Sequence, residues 1–267
     1  MVINSNITAQ IAANNLNNSH STLAASLQRL SSGSKLVGIG ADPGAMEMST
    51  QFDAQIGRLN AAQSNVSNAL SFAQTQDGYL SQISTALDQM SQLAIQAQDP
   101  TKSSSDRSTY GTQFSQLAAF VNQASAKDFN GVSLFSGSPL TVTVDSDGST
   151  LTMPGVALNS AVYVTATGSN VNTASAAATA LTNVEAALNQ LSSDRATVGA
   201  TETGLTYAAN QLSVTSQNIS AADSNIKDTD VATESVKYAA ANILMQASTA
   251  MLAQANQIPQ NVLKLLQ

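Results

Sequence analysis

The stretch 45–98 carries the pattern that most constrains the fold, because its apolar residues recur at alternating steps of about three and four over many helical turns. This spacing is typical of a coiled-coil-like helix. About 50 residues at 1.5 Å per residue make a helix roughly 75 Å long, whereas a compact chain of this length is only about 50 Å across. The pattern therefore predicts an elongated fold.

A second stretch, 176–226, has the same spacing, and a shorter apolar series at 110–124 lies between the two. Asp99-Pro100 ends the first helix, so the next one should return antiparallel to it. Polar Gln63 and Asp77 interrupt the seam of the first helix. Arg195 and Glu202 occupy seam positions of the second, where they can pair with partners or fix the register. The predicted rod seam consists of Phe52, Ile56, Leu59, Val66, Leu70, Leu87, Leu188, Leu191, Leu205 and Leu212.

Both ends of the chain are also amphipathic. The N-terminal series consists of Ile3, Ile7, Ile11, Leu16, Leu23, Leu27 and Leu30, and the C-terminal series includes Ile243, Leu244, Ala247, Met251, Ile258, Val262, Leu265 and Leu266. Each predicts a helix, and we expect the two helices to pair with each other. Neighbouring copies of the chain or its own core are further candidates to cover them. Pro259 predicts a kink or break near 255–258.

The middle of the chain changes its period. Apolar and polar residues alternate at 140–144 and again at 151–153, after the Asp147-Gly148 turn. Residues 162–164 follow, so we expect a small β element there. The predicted fold is mainly α: an elongated antiparallel helical hairpin or coiled-coil rod with paired terminal helices and a mid-chain β-hairpin. Its predicted segments are 1–33 and 227–267 at the ends, a connector at 34–44, the rod at 45–138 and 173–226, and an insert at 139–172.

Composition excludes several classes of function. The net charge is −7 and the ten Lys and Arg residues are scattered, so we expect no nucleic-acid partner. There is no Cys and one His, and no HExxH, Gly-x-Ser-x-Gly or nucleotide-binding loop is present, so we expect no enzyme, no cofactor and no metal site. No apolar run approaches the roughly 20 residues that span a bilayer, and the N-terminus lacks a Sec-type signal.

Four motifs together resemble the bacterial flagellin family. They are Leu27-Gln-Arg-Leu-Ser-Ser-Gly33, Phe129-Asn-Gly-Val-Ser-Leu-Phe-Ser-Gly137, Ser192-Ser-Asp-Arg-Ala-Thr-Val-Gly199, and the terminal stretch from Ala247 through Leu263 to Gln267. The resemblance covers most of 1–138 and 173–267. The segment 35–44 departs from the basic, Asn- and Asp-rich sequence common in the family, which leaves the packing of the connector open.

The resemblance implies a subunit that self-assembles into the extracellular flagellar filament. The terminal helices would form its inner tube and the insert would face outward. Implied partners are other flagellin copies, an export chaperone on the C-terminal region, the flagellar type III export apparatus, the filament cap and hook-associated junction proteins. Alternatives are a hook–filament junction protein and an intracellular coiled-coil scaffold.

The resemblance also points to a segment read by an innate immune receptor of animals, here represented by Gln89, Leu93 and Gln96. The family has an Arg where this chain has Gln89. Because an amide cannot replace the planar fork of a guanidinium, we expect receptor activation to be weakened.

Overall fold

The computed structural model describes residues 6–38 and 42–265, with side chains described as far as Gln257. Within these ranges six helices and two short antiparallel strand pairs follow in the order α1 (Ile7–Ser32), α2 (Pro43–Gln98), α3 (Ser104–Ala124), β1 (Asp128–Phe129), β2 (Val132–Ser133), β3 (Leu140–Thr143), β4 (Thr150–Met153), α4 (Ala161–Thr167), α5 (Ala174–Lys227) and α6 (Val231–Leu265). The prediction of a mainly α fold with a mid-chain β-hairpin is confirmed. The 56 residues of α2 correspond to a helix about 84 Å long.

The chain divides into two units. The first comprises the residues up to Gln55 together with those from Asn218 onward, and the second comprises 56–217. The first unit therefore joins the two ends of the chain, whereas the second is one continuous stretch.

In the first unit α1 and α6 pack against each other. Asn6 caps α1, because its side-chain oxygen accepts a hydrogen bond from the backbone N–H of Ala9 at 3.1 Å. The Asn6 amide also donates to the carbonyl of Ala255 at 2.8 Å. Near the other end of α1, Ser26 Oγ donates to Glu234 Oε1 at 2.7 Å. The start of α1 thus lies beside a late part of α6, so the pair is antiparallel and the predicted pairing of the terminal helices is confirmed.

Gly33 ends α1. Its φ of 70° is left-handed, a conformation that favours glycine, and its N–H donates to the carbonyl of Arg29 at 2.9 Å. The two connectors of this unit then meet in a short antiparallel bridge between Ser34 and Asp228. Lys227 anchors it through an ion pair with Asp53 at 3.1 Å. The next helix, α2, begins at Pro43, where the missing proline N–H costs nothing.

The second unit has a helical core with the predicted spacing. Buried residues on α2 recur at steps of three and four, and α5 carries a series of buried residues with matching spacing. Side-chain contacts show that the two helices are antiparallel: Arg195 pairs with Asp77, and the Gln98 amide donates to the carbonyl of Ala177 at 3.4 Å. The buried series on α2 is Leu59, Ala62, Val66, Ala69, Ala73, Gln76, Leu80, Ile83, Leu87, Met90, Ala94 and Ala97.

The turn from α2 into α3 is fixed by polar contacts. Arg107 donates from Nε to the carbonyl of Ala97 and from Nη2 to that of Asp99, each at 2.9 Å. These bonds satisfy carbonyl groups at the end of α2. Ser103 and Asp106 form a capping box that starts α3. The return predicted from Asp99-Pro100 is therefore observed.

The mid-chain hairpin of β3 and β4 packs along the helices of its own unit. Leu140 and Val142 share a groove with Phe72 of α2, and Leu151 lines a second groove together with Gly204 of α5. At the turn of the hairpin, Arg58 Nε donates to the carbonyl of Ser146 at 3.1 Å. The hairpin is thus held along its strands and also at its turn.

One prediction about secondary structure is wrong, and of the predicted kink or break near 255–258 the break is not observed. The segment 162–164 is not a strand but the centre of α4, in which Tyr163 and Ala166 are buried at helical spacing and which contacts α3. Tertiary contacts override the strand propensity of valine there. The helix α6 does not break near Pro259 but continues to Leu265. One proline removes one hydrogen bond, and the turns on either side persist.

Candidate assembly surface of the terminal helices

The contact between α1 and α6 is made by small and polar side chains together with four leucines, one methionine and one tyrosine. Shielded positions follow steps of three and four on both helices, the geometry of a coiled-coil seam. On α1 these residues are Ala9, Ala12, Leu16, Ser19, Leu23, Ser26 and Leu30, and on α6 they are Glu234, Tyr238, Ala241, Met245, Ser248, Leu252 and Ala255. We call this set the inner seam. It holds no Ile, Val or Phe.

Several large apolar residues of α6 lie on its other side. Val236 is 70% exposed, Ile243 66% and Met251 65%, and Leu244 and Ala247 are exposed as well. On α1, Ile7, Ile11 and Leu27 are also exposed. A stable isolated helix pair normally buries such residues and exposes the small polar ones. We call Val236, Ile243, Leu244, Ala247 and Met251 the outer face of α6.

The sequence prediction of one apolar face on each terminal helix therefore needs a correction. Of the N-terminal series, Leu16, Leu23 and Leu30 are half-buried in the inner seam, whereas Ile7, Ile11 and Leu27 are not. None of the four C-terminal residues from Ile243 to Met251 faces α1. Periodicity alone did not separate the two sides, because Ala and Ser repeat on α6 as regularly as the larger residues do. Ile3, Leu266 and the side chains of Ile258, Val262 and Leu265 lie outside the described residues.

Charge is concentrated at one end of the helix pair. Arg29 is the only charged residue of α1, and Glu234 and Lys237 are the only ones of α6 as far as Gln257. The three form one cluster, with Glu234 contacting Arg29 at 3.5 Å and Lys237 at 3.4 Å. Most of the outer face can therefore be covered without burying an unpaired charge, which would cost several kcal/mol.

Glu234 is itself buried, at 3% exposure. The hydrogen bond from Ser26, followed by the bond and charge of Lys237 and the charge of Arg29, lowers the pKa of its carboxyl against the opposing effect of burial. The ionised carboxylate thus ties the two helices together at this end. Sequence reasoning missed this contact, although Glu234 begins the series 234, 238, 241, 245, 248, 252 and 255 that marks the inner seam.

The predicted rod seam divides into two groups. Leu59, Val66, Leu87, Leu191, Leu205 and Leu212 are buried, and Phe52, Ile56, Leu70 and Leu188 are half-buried. The expected polar pairing occurs between Arg195 and Asp77 at 2.9 Å, and the bond with Asp77 raises the pKa of the Arg195 guanidinium. Burial and the charge of Asp77 raise the pKa of the Glu202 carboxyl, whose Oε1 has no hydrogen-bond partner among the described residues.

The candidate receptor segment lies on α2. Gln89 and Gln96 are exposed and Leu93 is half-buried. Together with Gln113 and Gln116 of α3 they line an open groove of about 340 Å³. The groove presents amides and no charged side chain.

The described residues contain no group of three or more His, Cys, Asp or Glu side chains that could hold a metal ion. Each helix in the described ranges also falls short of the length and apolar character that a membrane-spanning helix needs.

Two family profiles match the chain. The profile described as "Bacterial flagellin N-terminal helical region" matches residues 3–139, and that described as "Bacterial flagellin C-terminal helical region" matches residues 181–266. The first covers α1, α2, α3 and the β1–β2 hairpin, and the second covers most of α5 together with α6. The β3–β4 hairpin and α4 lie between the two matches.

Curated relatives match over the full length of both chains. The "Flagellar filament 33 kDa core protein" of Treponema phagedenis is 32% identical over 285 residues, covering 100% of each chain. The "Flagellin" of Bacillus subtilis (strain 168) is 31% identical over 306 residues, also covering 100% of each. These matches include the terminal helices and the insert between them.

Solved structures agree on the fold. The crystal structure of Bacillus cereus flagellin matches with a TM-score of 0.50 and 26% identity, covering 56% of this chain and 88% of that one. A putative flagellar hook-associated protein from Vibrio parahaemolyticus matches with a TM-score of 0.62 over 70% of this chain and 100% of that one, but at 16% identity, so it shows a shared fold alone. From the two profiles and the full-length relatives, the chain belongs to the bacterial flagellin family.

Proposed function

We propose that this chain is the structural subunit of a bacterial flagellar filament, and that copies polymerise by burying the outer face of α6 against neighbouring copies. The observation that carries the proposal is the outer face of α6: the inner seam holds small and polar residues among its leucines, while Val236, Ile243, Leu244 and Met251 face away from it and stay mostly exposed. An apolar face of this kind marks an interaction surface.

The energy available from this face is considerable. Burying a Val, Leu, Ile or Met side chain fully is worth about 1.5–3 kcal/mol relative to leaving it exposed. The four large residues of the outer face are all mostly exposed in the single chain. Together they can contribute on the order of 6–12 kcal/mol per subunit before the costs of association are subtracted.

The surface favours an open polymer over a closed dimer. The exposed apolar residues of α1 and α6 surround the helix pair on more than one side, so one partner cannot cover all of them. Contacts between unlike surfaces of identical subunits produce helical polymers when they do not close into a ring. The full-length relative of Treponema phagedenis is named as a filament core protein, which supports this geometry.

Further parts of the proposal follow from family membership. The filament would lie outside the cell, and the chain would reach it through the flagellar type III export apparatus without a cleaved signal peptide. An export chaperone on the C-terminal region, the filament cap and hook-associated junction proteins would be its partners. The exposed outer face suits the chaperone, because a free subunit needs a partner to cover it before assembly. We propose no catalytic role.

The predicted segments are proposed as functional regions. Segments 1–33 and 227–267 would form the inner tube, 45–138 and 173–226 the surrounding rod shell, and 139–172 the outward insert, with 34–44 as connector. A hook–filament junction protein is the alternative, and no comparison favours it, because the hook-associated neighbour shares only the fold. For the receptor segment we propose weakened activation, because Gln89 presents an amide where the family has an Arg.

Substitution of Ile243 by Ser tests the proposal. Loss of one buried isoleucine should raise the concentration of free chain that coexists with filaments by about 10- to 100-fold. Because Ile243 is exposed in the single chain, the circular dichroism of the free variant should match that of the wild type. Sedimentation and electron microscopy after seeding measure the polymer.

Met48→Ser is the matched control, since Met48 is also exposed but lies on α2. We expect it to polymerise like the wild type. If Ile243→Ser polymerises at the wild-type concentration while both variants fold normally, the outer face of α6 does not drive assembly.

A further inference from the structure

The sulfur chemistry of this chain rests entirely on methionine. It has seven Met and no Cys, so no thiol competes for oxidants. The six described methionines differ widely in their surroundings. Met90 and Met153 are buried, Met46 and Met245 are half-buried, and Met48 and Met251 are exposed at 49% and 65%. Because thioether oxidation follows exposure, Met251 and Met48 should react first.

Met251 occupies a particular place among these residues. It lies on the outer face of α6, one heptad after Leu244 and four residues after Ala247, both of which are exposed. Positions seven and four apart lie on the same side of a helix. Met48 lies on α2, outside that face. Oxidation of the two exposed methionines should therefore have different consequences.

We propose that Met251 is an oxidation-sensitive modification site that gates polymerisation of the free subunit. The oxidant is a hydroperoxide. Its terminal oxygen is transferred to Sδ, so the thioether is oxidised by two electrons to the sulfoxide and the hydroperoxide is reduced to the corresponding alcohol or to water. The inference rests on the proposed function, because the gate acts through the outer face of α6.

The effect on assembly follows from polarity. A sulfoxide is a strong hydrogen-bond acceptor on a side chain that the polymer would place in an apolar contact, where such a group has no partner. An oxidised subunit should therefore be excluded from the polymer. Once a subunit is incorporated, the same contact covers Met251 and protects it. The modification is reversible by methionine sulfoxide reduction, so an oxidised subunit can regain the ability to polymerise.

The experiment treats the free full-length chain with hydrogen peroxide, maps sulfoxide at each methionine by peptide mass spectrometry, and then seeds polymerisation. We expect Met251 to be oxidised at least about tenfold faster than Met90. We also expect filaments grown from a partly oxidised pool to contain about tenfold less Met251 sulfoxide than the pool itself. Equal sulfoxide content in pool and filament would overturn the inference.

Two variants separate the possible sites. Among the six described methionines, only Met251 remains strongly exposed in Met48→Leu, and only Met48 does in Met251→Leu. Each variant is compared with its own untreated sample, so that any effect of the substitution cancels. Peroxide should reduce polymerisation of Met48→Leu and of the wild type, but leave Met251→Leu unchanged relative to its untreated sample. Equal losses in both variants would overturn the inference.

Failure of the proposed function would look different. An untreated wild-type chain that does not polymerise after seeding would overturn both the proposed function and the gate. A chain that polymerises equally well before and after complete oxidation of Met251 would overturn the gate alone.

Discussion

Replacement of Glu234 by Ala should loosen the pairing of α1 with α6 by about 2 kcal/mol. The carboxylate accepts a 2.7 Å hydrogen bond from Ser26 and lies 3.5 Å from Arg29 and 3.4 Å from Lys237. Glu234 is the charged group that links α1 and α6 at this end of the pair. Its removal therefore takes away a hydrogen bond and two ion pairs at once.

The magnitude follows from the burial of each partner. Ser26 is only 2% exposed, so without an acceptor its hydroxyl stays buried and unpaired, at a cost of about 1–3 kcal/mol. The side chains of Arg29 and Lys237 remain 35% and 59% exposed, so water screens their charges and the ion pairs add only a few tenths of a kcal/mol. A loss of about 2 kcal/mol corresponds to a roughly 30-fold larger equilibrium population of the opened pair.

Amide hydrogen exchange of α6 measures this opening directly. At neutral pH, peptides from 231–245 should exchange about 30-fold faster in Glu234→Ala than in the wild type. Glu185→Ala is the matched control, because Glu185 is an exposed glutamate of α5. Wild-type protection in Glu234→Ala would refute the reasoning that this cluster holds the helices together.

The same contact predicts a dependence on pH. Because the pKa of Glu234 is lowered in the folded chain, its contribution is fully present above the ordinary glutamate pKa and is lost as the pH falls through the lowered value. The difference in protection between the wild type and Glu234→Ala, corrected for intrinsic exchange, should therefore shrink under acidic conditions. A difference that stays constant would show that the charge of Glu234 is not involved.

Two predictions concern the second unit. Leu205→Ala opens a cavity in the core, where Leu205 is fully buried, and should lower the free energy of unfolding in urea by about 2–5 kcal/mol. Tyr207→Ala, at an exposed site, should lower it by about 0.5 kcal/mol or less. Equal losses would contradict the assigned core. Tyr163→Phe removes a 2.7 Å bond that the hydroxyl donates to Asp194 and should cost about 1 kcal/mol. Burial and this bond raise the pKa of Tyr163 above the usual tyrosine value, so its absorbance should not change near pH 10; titration together with exposed tyrosines would refute that environment.

The rod was predictable from sequence because its constraint is strong and local. A seam at steps of three and four from Leu59 to Ala97 leaves few alternatives to a long helix, and Asp99-Pro100 marks its end without ambiguity. The position of Arg195 on its seam also indicated that it would pair, although its partner, Asp77, was not predicted. In these stretches local propensity and tertiary packing agree.

The helix α4 was not predictable in the same way. Val162-Tyr163-Val164 has strand propensity, and only seven residues form the helix. What decides the conformation is the burial of Tyr163 with its bond to Asp194, a residue 31 positions away. Short segments are governed by such distant contacts more than by their own pattern.

The terminal helices show a third situation. Their helical character was evident, but each carries a regular series on more than one side, so the sequence did not reveal which residues meet. The structure assigns Ala241 and Ser248 to the inner seam and leaves Ile243 outside. Glu234 contributed to this choice, since its hydrogen bond with Ser26 is formed only in this arrangement.

The most direct test of the central claim uses the absence of cysteine from the natural chain. Ile243→Cys places a single cysteine on the outer face, and Ala241→Cys places one in the inner seam, where Ala241 is 3% exposed. The rate of maleimide labelling of each variant is then compared between the free chain and the polymer. We predict that Ile243→Cys reacts rapidly when free and becomes protected on polymerisation, whereas Ala241→Cys reacts slowly in both states. Rapid labelling of Ile243→Cys that persists in the polymer would contradict the account.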